Sequence, residues 1–424
     1  MKGKRMRVLV VASVHTFPAH SRRAGDAFAG SFLARLLDRL ADLVDKIVVV
    51  SPRPWVPRHI PHISRRLAKY DCPPTERRAR ILVARPRFLP LYLMRHRNLL
   101  SRSMACASRR LAGRLHRKYG FDVVLGYTFP SSAYAAVAVG EALGIPSVTF
   151  ATGSDINLLA MVSAANMRIT RKTVRRSSLV LTNSKALAGK VREYCPDAQH
   201  VRPFYKGIDL GFLRESTESR NALRERYGIG PDEKCLITIG RVMRAKGVWE
   251  FLEAFKALAL RYPNLRGMMV GPGPELEAMR RAIGDAGLRD RLELTGEMDR
   301  ADVGRIIKAA DVMLFPTHHE GLPNAVQEAL AAELPVVATD VDGNPEVVIH
   351  EKTGLLVPKG DVPAMVQAVT RMIEDADFAR RTAREGRKLV EEVFNADKNV
   401  YVLRSILERL AADPDAGPRI AAEV

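Results

Sequence analysis

Apolar and polar positions follow a repeated two-part rhythm along this chain: a short run rich in Val, Ile and Leu, then a longer stretch with helical spacing. The short runs predict strands at residues 7–12, 46–50, 122–125, 146–150 and 179–182. They recur at 235–239, 267–270, 291–294, 312–315, 336–338 and 355–357. Apolar residues three and four apart predict helices at 28–43, 131–143, 248–262, 324–332 and 363–373. Strands apolar on both faces, with helices between them, belong in parallel sheets covered on both sides. The rhythm pauses at 202–209 and then restarts. The fold class is therefore α/β, with two doubly wound, Rossmann-like domains at 1–204 and 205–394. Their ligand is expected in a cleft between the carboxyl ends of the two sets of strands. An amphipathic helix at 395–410 stands apart, and the Asp- and Pro-containing tail at 413–418 is expected to fray.

The length of 424 residues, beyond what one ordinary core accommodates, agrees with two domains. Charge changes the picture more. The formal net charge is +20, and the segment 53–118 alone holds 18 Lys and Arg against Asp71 and Glu76. Such a concentration implies an anionic partner. Trp55, Tyr70, Phe88 and Tyr92 are too few to stack single-stranded nucleic acid, so none is expected. The apolar run 89–94, flanked by Arg85, Arg87, Arg95 and Arg97, reads as a contact with an anionic membrane surface; a solvated basic face is the alternative. Cys72, Cys106, Cys195 and Cys235 are scattered without metal-ligand spacing, as in a cytosolic protein with reduced thiols. The basic N-terminus runs into an apolar stretch, 8–12, that is short for a signal peptide and reads as a buried strand. No window offers the roughly 20 apolar residues of a membrane span.

Glu320 and Glu328 are the most informative pair. They flank the start of the helix at 324–332, just past the strand 312–315. Asn324 is expected to cap that helix, leaving its N–H groups and positive dipole end toward a ligand. Helical side chains lean back toward the N-terminus, so Glu328 and Glu320 can reach one molecule, a ribose and sugar hydroxyls respectively. On another strand-to-helix loop, Arg241 and Lys246 suit a diphosphate, Arg241 as a fork and Lys246 as a point charge. Gly271 and Gly273 form a further strand-end turn that permits close backbone approach. Gly25, in the long polar loop after the first strand, is placed to meet the diphosphate from the opposite wall, while Asp155 stands at the cleft edge as a candidate catalytic residue or caps a helix. His318-His319 and the pair Asp340/Asp342 raise a metal reading, but neither completes a ligand set, and no metal is assigned.

In this order, Gly25, Thr152-Gly-Ser-Asp155, Lys206-Gly-Ile-Asp209, Arg241 with Lys246, Gly271 with Gly273, Glu320 with Glu328, and Gly343-Asn-Pro-Glu346 resemble the retaining glycosyltransferase family 4 of GT-B fold. The 17–20 segment and the Gly-Ser-Asp motif resemble its branch in bacterial exopolysaccharide or cell-wall glycan assembly. The resemblance implies a nucleotide-diphosphate sugar donor and a glycan or lipid-linked acceptor. It places the donor diphosphate on Arg241 and Lys246, the sugar on Glu320, and the ribose on Glu328. The backbone of Leu322, Pro323 and Asn324 would line the sugar phosphate, and main chain at Met298 would meet the base. Transfer with retention, no cofactor or metal, and a last helix that returns to the first domain are also implied. Three positions depart from the family pattern: Thr152 stands where His is common, Lys206 where Asn is, and Asp342 where Gly is. The expectation is a cytoplasmic enzyme, peripheral on the inner face of the plasma membrane. Its rivals are a non-catalytic nucleotide- or glycan-binding partner of an assembly complex and a GT-B-type phosphorylase or epimerase.

Overall fold

The computed structural model describes residues 6–13, 32–55, 72–89, 97–213 and 218–423; Gly25, Tyr70, Tyr92 and Arg95 lie outside them. The chain divides into two compact units, Met1–Tyr205 with Asp397–Val424, and Lys206–Ala396.

The first unit holds β1 (Arg7–Val11), β2 (Lys46–Val50), β3 (Arg53–Pro54), β4 (Thr75–Arg78), β5 (Ile81–Ala84) and β6 (Arg87–Phe88). Then come β7 (Val123–Tyr127), β8 (Ser147–Ala151), β9 (Leu179–Thr182) and β10 (Val201–Pro203). Eight of these form one sheet in the order β10-β9-β8-β7-β1-β2-β5-β4, parallel except for the edge strand β4; β3 pairs with β6. Strand β1 shows why the sequence demands cover on both sides. Val8 and Val10 face the helices Phe32–Ala41 and Ala396–Ala412 through Leu37, Leu40, Leu403 and Leu407. Leu9 and Val11 face the opposite layer, with Ala105, Ala112, Ala136 and Val139.

The second unit is a six-stranded parallel sheet: β11 (Lys234–Ile239), β12 (Leu265–Val270), β13 (Leu292–Gly296), β14 (Val312–Phe315), β15 (Val336–Thr339) and β16 (Leu355–Val357). Its order, β13-β12-β11-β14-β15-β16, reverses direction between β11 and β14. In such sheets the loops leaving the two strands at the reversal part to opposite faces and leave a crevice for a ligand.

Three expectations need correction. The tail does not fray: Gly417–Ala422 is a helix, Ile420 is fully buried, and Arg202 Nη1 donates to its carbonyl at 3.0 Å. Arg85 cannot face a membrane, because its side chain is buried and donates to Glu76 at 2.7 Å. Burial opposes ionisation of Glu76, yet the bonds from Arg78 and Arg85 hold its carboxyl below the usual range. Finally, much of the basic segment is the helix Arg97–Tyr119, which the hydrophobic pattern does not announce. Its buried stripe is Ser101, Met104, Ala105, Ser108 and Ala112, small residues with little apolar signal, while Arg102, Arg109, Arg110, Arg114, Arg117 and Lys118 are exposed.

The four cysteines form no disulfide, and burial pushes the Cys235 thiol up to about 12. Among the described residues no helix is long and apolar enough to cross a membrane.

Candidate functional site

The two loops that leave the reversal point of the second sheet carry the charged residues singled out above. After β11 the chain makes a tight 3-10 turn, Arg244–Lys246, and then enters the helix Val248–Arg261 through Gly247 at φ 68°. A Cβ at Gly247 would lie 1.9 Å from the carbonyl oxygen of Pro316, so only glycine lets the loops after β11 and β14 touch. They are also bonded together. The backbone N–H of His318 donates to Ala245 O at 3.0 Å, Thr317 Oγ1 donates to the same oxygen at 3.2 Å, and the His318 ring meets Glu250 at 2.8 Å. This scaffold sets Lys246 Nζ directly on the Glu320 carboxylate. Arg241, on the same loop just after β11, is exposed and has no ion-pair partner among the described residues.

The loop after β15 completes the frame. Thr339 Oγ1 donates to Thr317 O at 2.6 Å, and Gly343 N donates to Glu320 O at 3.2 Å. Asp342 takes a left-handed backbone, φ 45°, which aims its Oδ2 at the backbone N–H of Glu320, 3.1 Å away. The same oxygen lies 3.4 Å from His319 Nδ1. The Asp342 carboxylate thus braces the loop that carries Glu320.

Helix Asn324–Ala331 starts behind this loop. Asn324 is not its cap: Pro323 holds the cap position, without a side-chain bond to the first turn. Pro φ is already helix-compatible, so Asn324 is drawn into the helix, and the first N–H groups have no side-chain acceptor. Leu322 and Pro323 turn their side chains inward. One turn on, Glu328 lies 3.9 Å from Arg300 Nη2, and Arg300 also donates to Asp209 O at 3.1 Å. Arg300 was missed in the sequence; the available signal is a cation at the first position of a helix, Arg300–Ala309, where the dipole disfavours it. Met298 is half-buried at the carboxyl end of β13, just before that helix.

Gly271 and Gly273 serve the frame itself. Cβ atoms there would lie 2.1 Å from Gly240 O and 2.0 Å from Val242 O, so the close approach they permit is to the loop after β11. Asp155 belongs to the first unit and is 1% exposed. Its oxygens accept the N–H groups of Phe129 (3.0 Å), Thr152 (2.9 and 3.1 Å), Gly153 (2.9 Å) and Ile156 (3.0 Å). Burial pushes its carboxyl pKa up, and these N–H groups pull against that rise. Gly25 lies outside the described residues. Among the described residues no three His, Cys, Asp or Glu side chains converge as a metal site.

Residues 62–212 match the family model described as Glycosyltransferase Family 4, and residues 219–389 match Glycosyl transferases group 1. The chain is 28% identical over 404 residues to the putative teichuronic acid biosynthesis glycosyltransferase TuaC of Bacillus subtilis, covering 94% of this chain and 97% of that one. Sucrose-phosphate synthase from Thermosynechococcus elongatus superimposes with a TM-score of 0.74 at 20% identity, over 96% of this chain and 100% of its own. HepE of Anabaena, solved with UDP and glucose, gives 0.70 at 18% identity, over 95% and 99%. The two structures speak to the fold, and the family models and the full-length relative to the chemistry. With paired doubly wound units, and with Arg241, Lys246, Glu320 and Glu328 gathered on one sheet edge, the chain belongs to the family 4 glycosyltransferases of GT-B fold.

Proposed function

We propose that this glycosyltransferase moves a sugar, with retention of anomeric configuration, from a nucleotide-diphosphate donor to a glycan or lipid-linked acceptor in bacterial surface polysaccharide synthesis. The observation that carries the reading is the Lys246–Glu320 pair at the reversal point of the second sheet, with Arg241, which has no ion-pair partner among the described residues, on the same loop as Lys246 and an uncapped helix start after Glu320. Cations, a carboxylate and free N–H groups are what a sugar diphosphate needs at one place.

In this scheme the donor diphosphate takes Lys246 from Glu320, and the freed carboxylate accepts sugar hydroxyls. Arg241 and Lys246 stabilise the charge that builds on the departing nucleoside diphosphate. The two cations do this without a metal. The backbone at Leu322, Pro323 and Asn324 faces the sugar phosphate, Glu328 holds the ribose with Arg300 steadying it, and main chain at Met298 meets the base. Asp155 is a positioning residue, since every bond its carboxylate accepts comes from backbone N–H groups of its own loop and of Phe129 in the neighbouring one. Retention follows from attack on the face the leaving group vacates, through an oxocarbenium-like state. The UDP and glucose named in the HepE structure and the teichuronic acid named for TuaC support the donor and acceptor classes. The exposed cations of helix Arg97–Tyr119 support work at an anionic inner-leaflet surface.

Calorimetric titration with UDP, GDP and ADP, wild type beside Lys246→Ala, tests the donor site. Selective binding of one nucleotide, lost in the variant, is expected. Equal binding by both proteins would overturn the assignment.

A further inference from the structure

The first unit carries an exposed apolar turn outside the residues assigned to the donor. Leu158 (64% exposed), Leu159 (46%), Met161 (61%) and Val162 (51%) all lie open to solvent within five positions. Elsewhere among the described residues, large exposed apolar side chains occur singly or as the pair Tyr401 and Val402. Single ones need no explanation, but a contiguous group does.

The turn is held from behind. Asp155 gathers the backbone of the preceding loop, Ala160 N donates to Asp155 O at 2.9 Å, and Met161 N donates to Leu158 O at 3.1 Å. Asn166 Nδ2 donates to Leu159 O at 2.8 Å, and Ser163 Oγ caps the following helix. The polar backbone is thus satisfied inward while the apolar side chains point outward.

Charge identifies the occupant. The helix that follows, Ala164–Arg176, has no acidic residue. Its exposed Arg168, Arg171 and Lys172 pair with no carboxylate among the described residues, whereas Arg175 and Arg176 are bound to Asp197 and Glu141. It packs against helix Arg97–Tyr119, which also lacks acids and exposes Arg102, Arg109, Arg110, Arg114, Arg117 and Lys118. Apolar side chains on a firm turn beside a row of cations are the chemistry of an interfacial anchor, which enters the headgroup boundary while the cations meet anionic lipid. A soluble glycan would find no hydrogen-bonding side chains on Leu158, Leu159, Met161 and Val162. We propose that the 158–162 turn inserts into an anionic bilayer, with Arg168, Arg171 and Lys172 on its headgroups. This rests on the reading of a membrane-associating enzyme and names the part that enters the lipid.

The test is flotation of the full chain with vesicles of phosphatidylglycerol and phosphatidylcholine. Leu158→Ser with Met161→Ser should weaken binding about tenfold or more. Neutralising Arg168, Arg171 and Lys172 to Gln should weaken it about a hundredfold, at about fivefold per cation, and only on anionic vesicles. Thermal melts of these surface variants, expected to match wild type, control for folding. In a second variant, Leu158→Trp, the added fluorescence should shift to the blue with anionic vesicles and be quenched by lipids brominated along the chain. Wild type that does not float would remove the membrane reading itself, and this inference with it. Wild type and both surface variants floating equally, with no shift at Leu158→Trp, would overturn this inference alone. Intact flotation with transfer lost in the Ser variant would overturn it in favour of acceptor binding at the turn.

Discussion

Asp155 in the first unit and Glu320 in the second both stand a few residues past the carboxyl end of a parallel strand, yet their surroundings are opposite. Asp155 is sealed and receives N–H groups from four residues of its own loop and its neighbour. Glu320 keeps a fifth of its side chain exposed and holds one long, movable cation, Lys246. An acid whose acceptor sites are filled by backbone has nothing left for a ligand. An acid held by a single flexible side chain can exchange it for one.

The largest effect should come from Lys246→Ala. Loss of leaving-group stabilisation should lower kcat by about 2–4 kcal/mol equivalent, about thirty- to eight-hundredfold. The melting temperature should barely move, because a partly exposed pair contributes at most about 1 kcal/mol. A large stability loss instead would make this pair structural, like Asp155, and erase the contrast. Asp155→Asn comes next, and here stability should suffer. Its amide group faces donors with donors, and the urea midpoint should fall by the equivalent of about 3 kcal/mol. A variant that unfolds normally but fails in transfer would make Asp155 a reactant and break the comparison.

Smaller changes sharpen it. Asp342→Ala removes the brace on the Glu320 loop and should cost about fivefold in kcat/KM, near 1 kcal/mol, with Asp342→Asn restoring most of it through its remaining acceptor. If Asn behaves as Ala does, the carboxylate's charge, not its hydrogen bond, is what matters. Arg300→Ala should raise the donor KM two- to threefold, about 0.5 kcal/mol, because Arg300 acts on Glu328 across 3.9 Å and is partly exposed. Steady-state kinetics showing a lower kcat at unchanged KM would contradict a ribose-positioning role.

Much of this was legible in the residues. The runs at 235–239, 312–315 and 336–338 are strands, as read, and the helix at Ser131–Leu143 has the bounds its periodicity predicts. Arg241, Lys246 and Glu320 were found because each sits between a continuous apolar run and a stretch of helical spacing, and Glu328 because it lies one turn inside the helix that follows. The helix Arg97–Tyr119 was hidden because its buried face is largely Ala and Ser, which packs closely on Ser131–Leu143 but writes almost no hydrophobic pattern. The closing helix Gly417–Ala422 was hidden because one buried Ile420 beside Pro418 looks, in one dimension, like a loop.

The sequence by itself determined most of the order of elements and the strand-to-helix placement of Arg241, Lys246, Glu320 and Glu328, because both depend on residues within a few positions of each other. Tertiary structure alone decided what those groups do. The placement of β14 beside β11, not beside β13, brings Glu320 to Lys246 from 74 positions away. Closure of backbone around Asp155 fills its acceptor sites, and the pairing of β5 with β4 puts Arg85 on Glu76 instead of on a lipid. Strand order and burial are settled by which apolar faces pack together across the whole chain, and no local window holds that information.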